Sequence, residues 1–138
     1  MPISTEDAGR TYPPLHYQVT AGKIAEFAAA LGDDNPAYQG ADAIAPPTFP
    51  VVLASWDAVF GDPDLGLSLN RTIHVEQKFT YARPLRAGDD VTATLRIADV
   101  RVRGQVDRIT VATSIDTVAG EHVCTMTSSL FHSREEEA

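Results

Sequence analysis

At 138 residues, 43% of them hydrophobic and 22% charged, the chain has the size and composition of one compact domain with a real core, and a second full domain is not expected. Its formal charge of −8 has the wrong sign for gripping phosphate backbones or anionic lipid, which argues against nucleic-acid and membrane-surface partners. A single cysteine, Cys124, leaves no intramolecular disulfide and no thiolate metal cluster.

The opening MPISTEDAGRTYPP lacks a basic stretch followed by an apolar run, and no segment approaches the roughly 18 apolar residues that span a bilayer. A reducing cytoplasm is therefore expected. Thr20 is placed to cap a helix over Ala21 to Leu31, in which Ile24, Phe27, Ala28 and Leu31 recur at helical spacing and Gly32 supplies the stop. From Gly32 to Pro50 the chain is rich in Asp, Asn, Pro, Gly and Ala, too broken for regular structure and too apolar for a linker. Val51 to Phe60 is apolar nearly all round, with Pro50 suited to a first turn, and reads as a helix buried on most sides.

From Arg71 the period switches to two. Ile73, Val75, Gln77, Phe79 and Tyr81 define one strand face; Val91, Ala93, Leu95 and Ile97 a second; Ile109, Val111, Thr113 and Ile115 a third. A last strand runs from about His122 to His132. The breaks at 83–89, around Gly104 and at 119–121 are short enough to join antiparallel neighbours. A flexible acidic tail is expected over about 133–138, ending in Glu135, Glu136 and Glu137. One helix ahead of a long antiparallel run implies an α+β domain, a sheet wrapped around the helix of Val51 to Phe60.

Four segments, GDDNPAY (32–38), APPTFPVV (45–52), IHVEQKFTYARPLRAGD (73–89) and VCTMTSSLF (123–131), resemble the hot-dog dehydratases of the MaoC and R-specific enoyl hydratase group. Together they span nearly all of residues 10–132. The pairing of APPTF with H-x-E-Q and RP-x-x-AGD is more specific than any one piece and is similar to HadA-type subunits. The resemblance implies a single hot-dog domain, no cofactor, and an acyl thioester substrate carried on acyl carrier protein or coenzyme A. It also implies a dimer, possible partners including a HadB-type hot-dog subunit.

Dehydrating a 3-hydroxyacyl thioester needs a base at Cα, an acid at the leaving hydroxyl, and donors facing the thioester oxygen. Complete members of the group use an Asp and a His five positions later, in G-D-x-N-P-hydrophobic-H. Gly32, Asp33, Asn35 and Pro36 match, and Tyr38 stands at the His position. A phenol, with an ordinary pKa near 10, is a poor substitute for an imidazole near 6.5 as a neutral-pH proton shuttle. The expectation is a subunit with an incomplete pair, Asp33 being its remaining catalytic candidate. Asn35, Thr48 and Phe49 are the candidate substrate-contacting positions, with a backbone amide near Thr48 and Phe49 as the oxyanion donor.

Each residue also has a structural reading. Asp33 and Asn35 suit turn chemistry, Tyr38 a packed loop aromatic, and Phe49 the core. His74, Glu76 and Lys78 read as a surface charge ladder, Cys124 as a small buried hydrophobe, and Trp56 as core. His16, His122 and His132 show no metal-ligand spacing. Three other functions fit the same residues: a self-sufficient homodimeric hydratase using Asp33, a hot-dog thioesterase, and a non-catalytic acyl-thioester binding module.

Overall fold

The computed structural model describes residues 2–134. Helix α1 (Ala21–Leu31) begins and ends where its capping residues require. The Thr20 hydroxyl accepts from the Lys23 N–H at 3.1 Å, and Gly32, at a left-handed φ of 72°, turns its own N–H back to the Ala28 and Ala29 carbonyls. Ile24 and Ala28 are buried and Phe27 is half-buried, while Leu31, expected on the same stripe, is exposed where the chain turns into the following loop.

Five strands form one antiparallel sheet. They are β1 (Leu15–Gln18), β2 (Thr72–Tyr81), β3 (Asp90–Arg103), β4 (Val106–Thr117) and β5 (His122–Ser133), arranged in the order β1-β3-β4-β5-β2. The architecture is α+β, as expected, but the first half is not only helix and loop: β1 pairs Leu15 with Ala93 along one edge of β3. The segment at 83–89 does not join neighbours either. It carries the chain from edge strand β2 across the sheet to β3. The turns at Gly104 (φ 59°) and Gly120 (φ 103°) do join adjacent strands, each using a backbone conformation that favours glycine.

The inward faces of β3 and β4 keep their alternation: Val91, Ala93, Leu95, Ile97, Ile109, Val111, Thr113 and Ile115 are all buried. In β2 a bulge between His74 and Glu76 breaks it. Ile73 lies opposite exposed Phe131, His74 opposite buried Leu130, and Gln77 opposite buried Ser128. Ile73 and Val75 are consequently exposed, and the expected single face of Ile73 to Tyr81 holds only from Gln77 onward. His74 does not share a face with Glu76: its ring packs edge-on to Trp56, with centroids 5.9 Å apart, while Glu76 pairs with Lys78 at 2.9 Å.

The single helix expected over Val51 to Phe60 is instead two pieces, a 3₁₀ turn (Phe49–Leu53) and α2 (Trp56–Phe60), separated by Ala54 and Ser55. Pro47 and Pro50 remove backbone donors at the start, and a segment with only Ser55 and Asp57 among apolar residues has no continuous polar face to fix one helical phase. The break lets each piece aim at its own core cluster. Phe49 and Leu53 join Ile24, Val91, Ile115 and Val123; Val59 joins Ile3, Leu95, Ile109 and Leu130.

At the second cluster, β5 closes the chain on its beginning. Ser133 is within β5, and the guanidinium of Arg134 donates to buried Asp107 at 2.9 Å and to the Ile3 carbonyl at 2.7 Å. His132 accepts the Ser68 N–H at Nε2 (3.1 Å), so its Nδ1–H faces Asp107 at 3.2 Å. Of the expected acidic tail, 133 and 134 are thus anchored, and 135–138 lie outside the described residues.

Candidate functional site

The residues singled out around the G-D-x-N-P segment sit on one loop that leaves α1. The Asp33 N–H donates to the Ala28 carbonyl at 3.0 Å, and its Oδ1 accepts from the Asn35 N–H at 3.0 Å. Asn35 Oδ1 in turn accepts from the Ala37 N–H at 3.0 Å and caps a 3₁₀ turn, Pro36–Tyr38. Both side chains are exposed, and each has an oxygen engaged in a local turn. Tyr38 is half-buried and packs against the first core cluster, which also holds Phe49, Leu53 and Cys124.

The loop is stapled to its surroundings through the backbone. The Ile44 N–H donates to the Ala37 carbonyl at 2.9 Å, the Ala45 N–H to Leu85 at 2.7 Å, and the Ala87 N–H to Ala43 at 2.9 Å. The 83–89 segment is itself held shut by Arg83. Its guanidinium grips both oxygens of Asp89 (2.8 and 3.1 Å) and reaches Glu121 at 3.1 Å, while the Arg86 N–H donates to Asp89 at 2.8 Å. Burial opposes the charge on Asp89, but the Arg83 and Arg86 hydrogen bonds outweigh it and hold its carboxyl below the usual range. The Arg-Pro-x-x-Ala-Gly-Asp segment is therefore a buckle that positions the loop carrying Asp33 and Tyr38.

Thr48 is exposed and Phe49 fully buried. The Phe49 ring meets Phe27 edge-on at 5.4 Å, the core placement of its side chain. The Phe49 N–H is taken by the Pro46 carbonyl at 2.9 Å and the Val51 N–H by Thr48 at 3.1 Å, so neither amide faces outward as a free donor. The structure thus gathers Tyr38 and Phe49 at one core cluster and leaves Asp33, Asn35 and Thr48 on the surface beside it.

Four further side chains, Tyr81, Cys124, Gln77 and Ser128, face one another across β2 and β5. The Tyr81 hydroxyl donates to the Pro47 carbonyl, and burial raises its pKa. Cys124, completely buried opposite Tyr81, has its thiol pushed up to about 11 mainly by burial, which keeps it uncharged and suits its reading as a small hydrophobe. Buried Ser128 donates to Gln77 Oε1 at 2.6 Å, and Gln77 Nε2 donates to the Thr127 carbonyl at 3.2 Å. Their signal in the sequence was a polar Gln and Ser on otherwise apolar faces. Among the described residues no group of three His, Cys, Asp or Glu side chains is arranged to hold a metal, and no helix is long and apolar enough to cross a membrane.

Comparison with known proteins adds to this geometry. A family model described as the FAS1-like dehydratase domain region matches residues 6–126. A UPF0336 protein of Cutibacterium acnes is 54% identical, the match covering 99% of this chain and 98% of that one. The HadBC (3R-hydroxyacyl-ACP dehydratase) complex of Mycobacterium tuberculosis superimposes with a TM-score of 0.78 at 26% identity, over 91% of this chain and 96% of that one. An unliganded R-hydratase of Pseudomonas aeruginosa shares the fold, with a TM-score of 0.68 at 22% identity over 95% and 87% of the two chains.

Proposed function

The chain belongs to the FAS1-like dehydratase domain family, a hot-dog dehydratase and hydratase group, and on that premise we propose that it is one subunit of a (3R)-hydroxyacyl thioester dehydratase or, in reverse, an enoyl hydratase. Its main work in this reading is to line the acyl channel and support a catalytic hot-dog partner. The reaction removes the Cα proton, breaks the C3–O bond, and releases the hydroxyl as water as the double bond forms, so it needs a base and an acid in register. The observation that carries the reading is Tyr38. The position five residues after Asp33 holds a phenol packed on the core, while the Asp33 carboxylate is engaged by the Asn35 N–H.

In this reading Asp33 is an accessory group, Asn35 shapes the loop, exposed Thr48 contributes to the channel wall, and Phe49 supports that wall from the core. The complete Asp and His pair comes from the partner, and the substrate is an acyl thioester on a carrier protein or coenzyme A in the cytoplasm. The multi-chain HadBC assembly among the similar structures is in keeping with a two-chain enzyme.

The test is hydration of a crotonyl thioester, followed by loss of the enoyl absorbance. The purified chain alone should show background rates. Mixing with a hot-dog partner that carries G-D-x-N-P-hydrophobic-H should raise the rate about a hundredfold or more, the scale of general acid–base catalysis, and Asp33→Asn should alter the mixture by less than about threefold. Enzyme-level turnover by the chain alone, abolished by Asp33→Asn, would overturn the proposal in favour of a self-sufficient hydratase. Release of free thiol without an enoyl product would instead indicate a thioesterase.

A further inference from the structure

On the outer face of the sheet, at the β3–β4 hairpin end, three arginines stand together in a chain that has only 11 Lys and Arg against 19 Asp and Glu. Arg101 lies directly opposite Arg108, Arg108 opposite Phe131, and Phe131 opposite Ile73, a continuous row across four strands. Arg103 lies opposite Val106 in the next row. Like charges facing each other on neighbouring strands destabilise a sheet. Arg101 is partly offset by Asp99 at 3.1 Å. Among the described residues Arg103 and Arg108 have no carboxylate within ion-pair distance, although Glu76, itself paired with Lys78, feels the field of Arg108.

Arg101, Arg103, Arg108, Val106 and Phe131 line a concave pocket of about 410 Å³. That volume is in the range of small-molecule sites. Guanidinium forks match phosphate oxygens in geometry as well as charge, and Phe131, 41% exposed beside them, offers a ring face of the kind on which nucleobases stack. We propose that this pocket binds a phosphorylated nucleotide, its phosphates on Arg101, Arg103 and Arg108 and its base over Phe131. An anion alone would leave Phe131 and Val106 unused, and an apolar ligand alone would not relieve the opposed arginines.

The site is independent of the acyl-thioester reading. β3 is 14 residues long, or roughly 45 Å at about 3.3 Å per residue, and its Val91 end packs in the cluster that holds Tyr38 whereas Arg103 is at the opposite end.

Calorimetric titration of the full chain with ADP, pyrophosphate and adenosine tests the proposal. One ADP should bind per chain, with affinity falling steeply as salt is raised from about 50 to about 200 mM. The Arg103→Ala and Arg108→Ala double variant should weaken ADP about tenfold or more. Phe131→Leu, which keeps the apolar bulk but loses the ring, should weaken ADP while leaving pyrophosphate unchanged; circular dichroism establishes that both variants are folded. Competition between ADP and coenzyme A would support the nucleotide end of a thioester carrier as the natural source, and ADP binding without such competition would support a free nucleotide. No saturable ADP binding at millimolar concentration, or ADP binding unchanged in the folded double-arginine variant, would overturn the proposal.

Discussion

Asp89 shows how one side chain can hold a loop in place from the far side of a turn. Its carboxylate accepts from Arg83 and from the Arg86 amide, so its folded pKa is depressed although burial acts the other way. The stabilisation from such a group is complete above its unfolded pKa, about 3.9 for Asp, and is lost as the pH falls through the lower folded value. The stability of the native protein should therefore fall across this acid window. Asp89→Asn should be less stable at neutral pH and show a shallower decline, as measured by urea midpoints between about pH 6 and pH 2.5. An acid limb of unchanged slope in the variant would mean that the buckle is not a charge-assisted one. Tyr38 is the contrasting case: its identity was legible in the sequence, and its packing against the core makes it a wall more readily than a proton carrier.

Among the elements, the bulge at Val75 has the widest effect. It turns Ile73 to the outer face and sets His74, still exposed, on the other face against Trp56. Deleting Val75 should close the bulge while leaving Ile73 opposite Phe131 and His74 opposite Leu130, keeping the His74–Trp56 contact and changing stability by no more than about 1–2 kcal/mol. The only tryptophan reports this contact: Trp56 emission should stay unchanged in the deletion variant and shift in His74→Ala, and a shifted emission in the deletion variant would refute this register. Helix α1 was legible to the residue because Thr20 and Gly32 act locally, and so were the inward faces of β3 and β4, where pairing on both sides preserves the period. The four residues of β1 were too few to show a period. The bulge could not be read because register depends on β5, some 50 residues away in sequence. The split at Ala54 and Ser55 was hidden for the opposite reason, since an apolar run signals burial without phase. In the same way the motif residues of the loop were visible, but not the Arg83–Glu121 contact that closes its support across 38 positions.

In the whole molecule, β2 is a 10-residue edge strand paired on one side only among the described residues, and its own Ile73 and Val75 are exposed. A long edge of this kind invites another strand unless it is covered. Sedimentation at micromolar concentration should find particles of two hot-dog chains, about twice 14.9 kDa for the chain alone, or a mixed pair with the catalytic partner; single-chain mass in both samples would refute the pairing. The Arg134 clasp has a separate consequence for how the fold could be rewired. Because its guanidinium bonds to the Ile3 carbonyl, the start and finish of the described chain are already side by side, and the backbone is a ring lacking one short splice. A circular permutant opened at the Gly120 turn would keep every strand neighbour, and two copies could be joined in tandem from Arg134 onward without crossing the sheet.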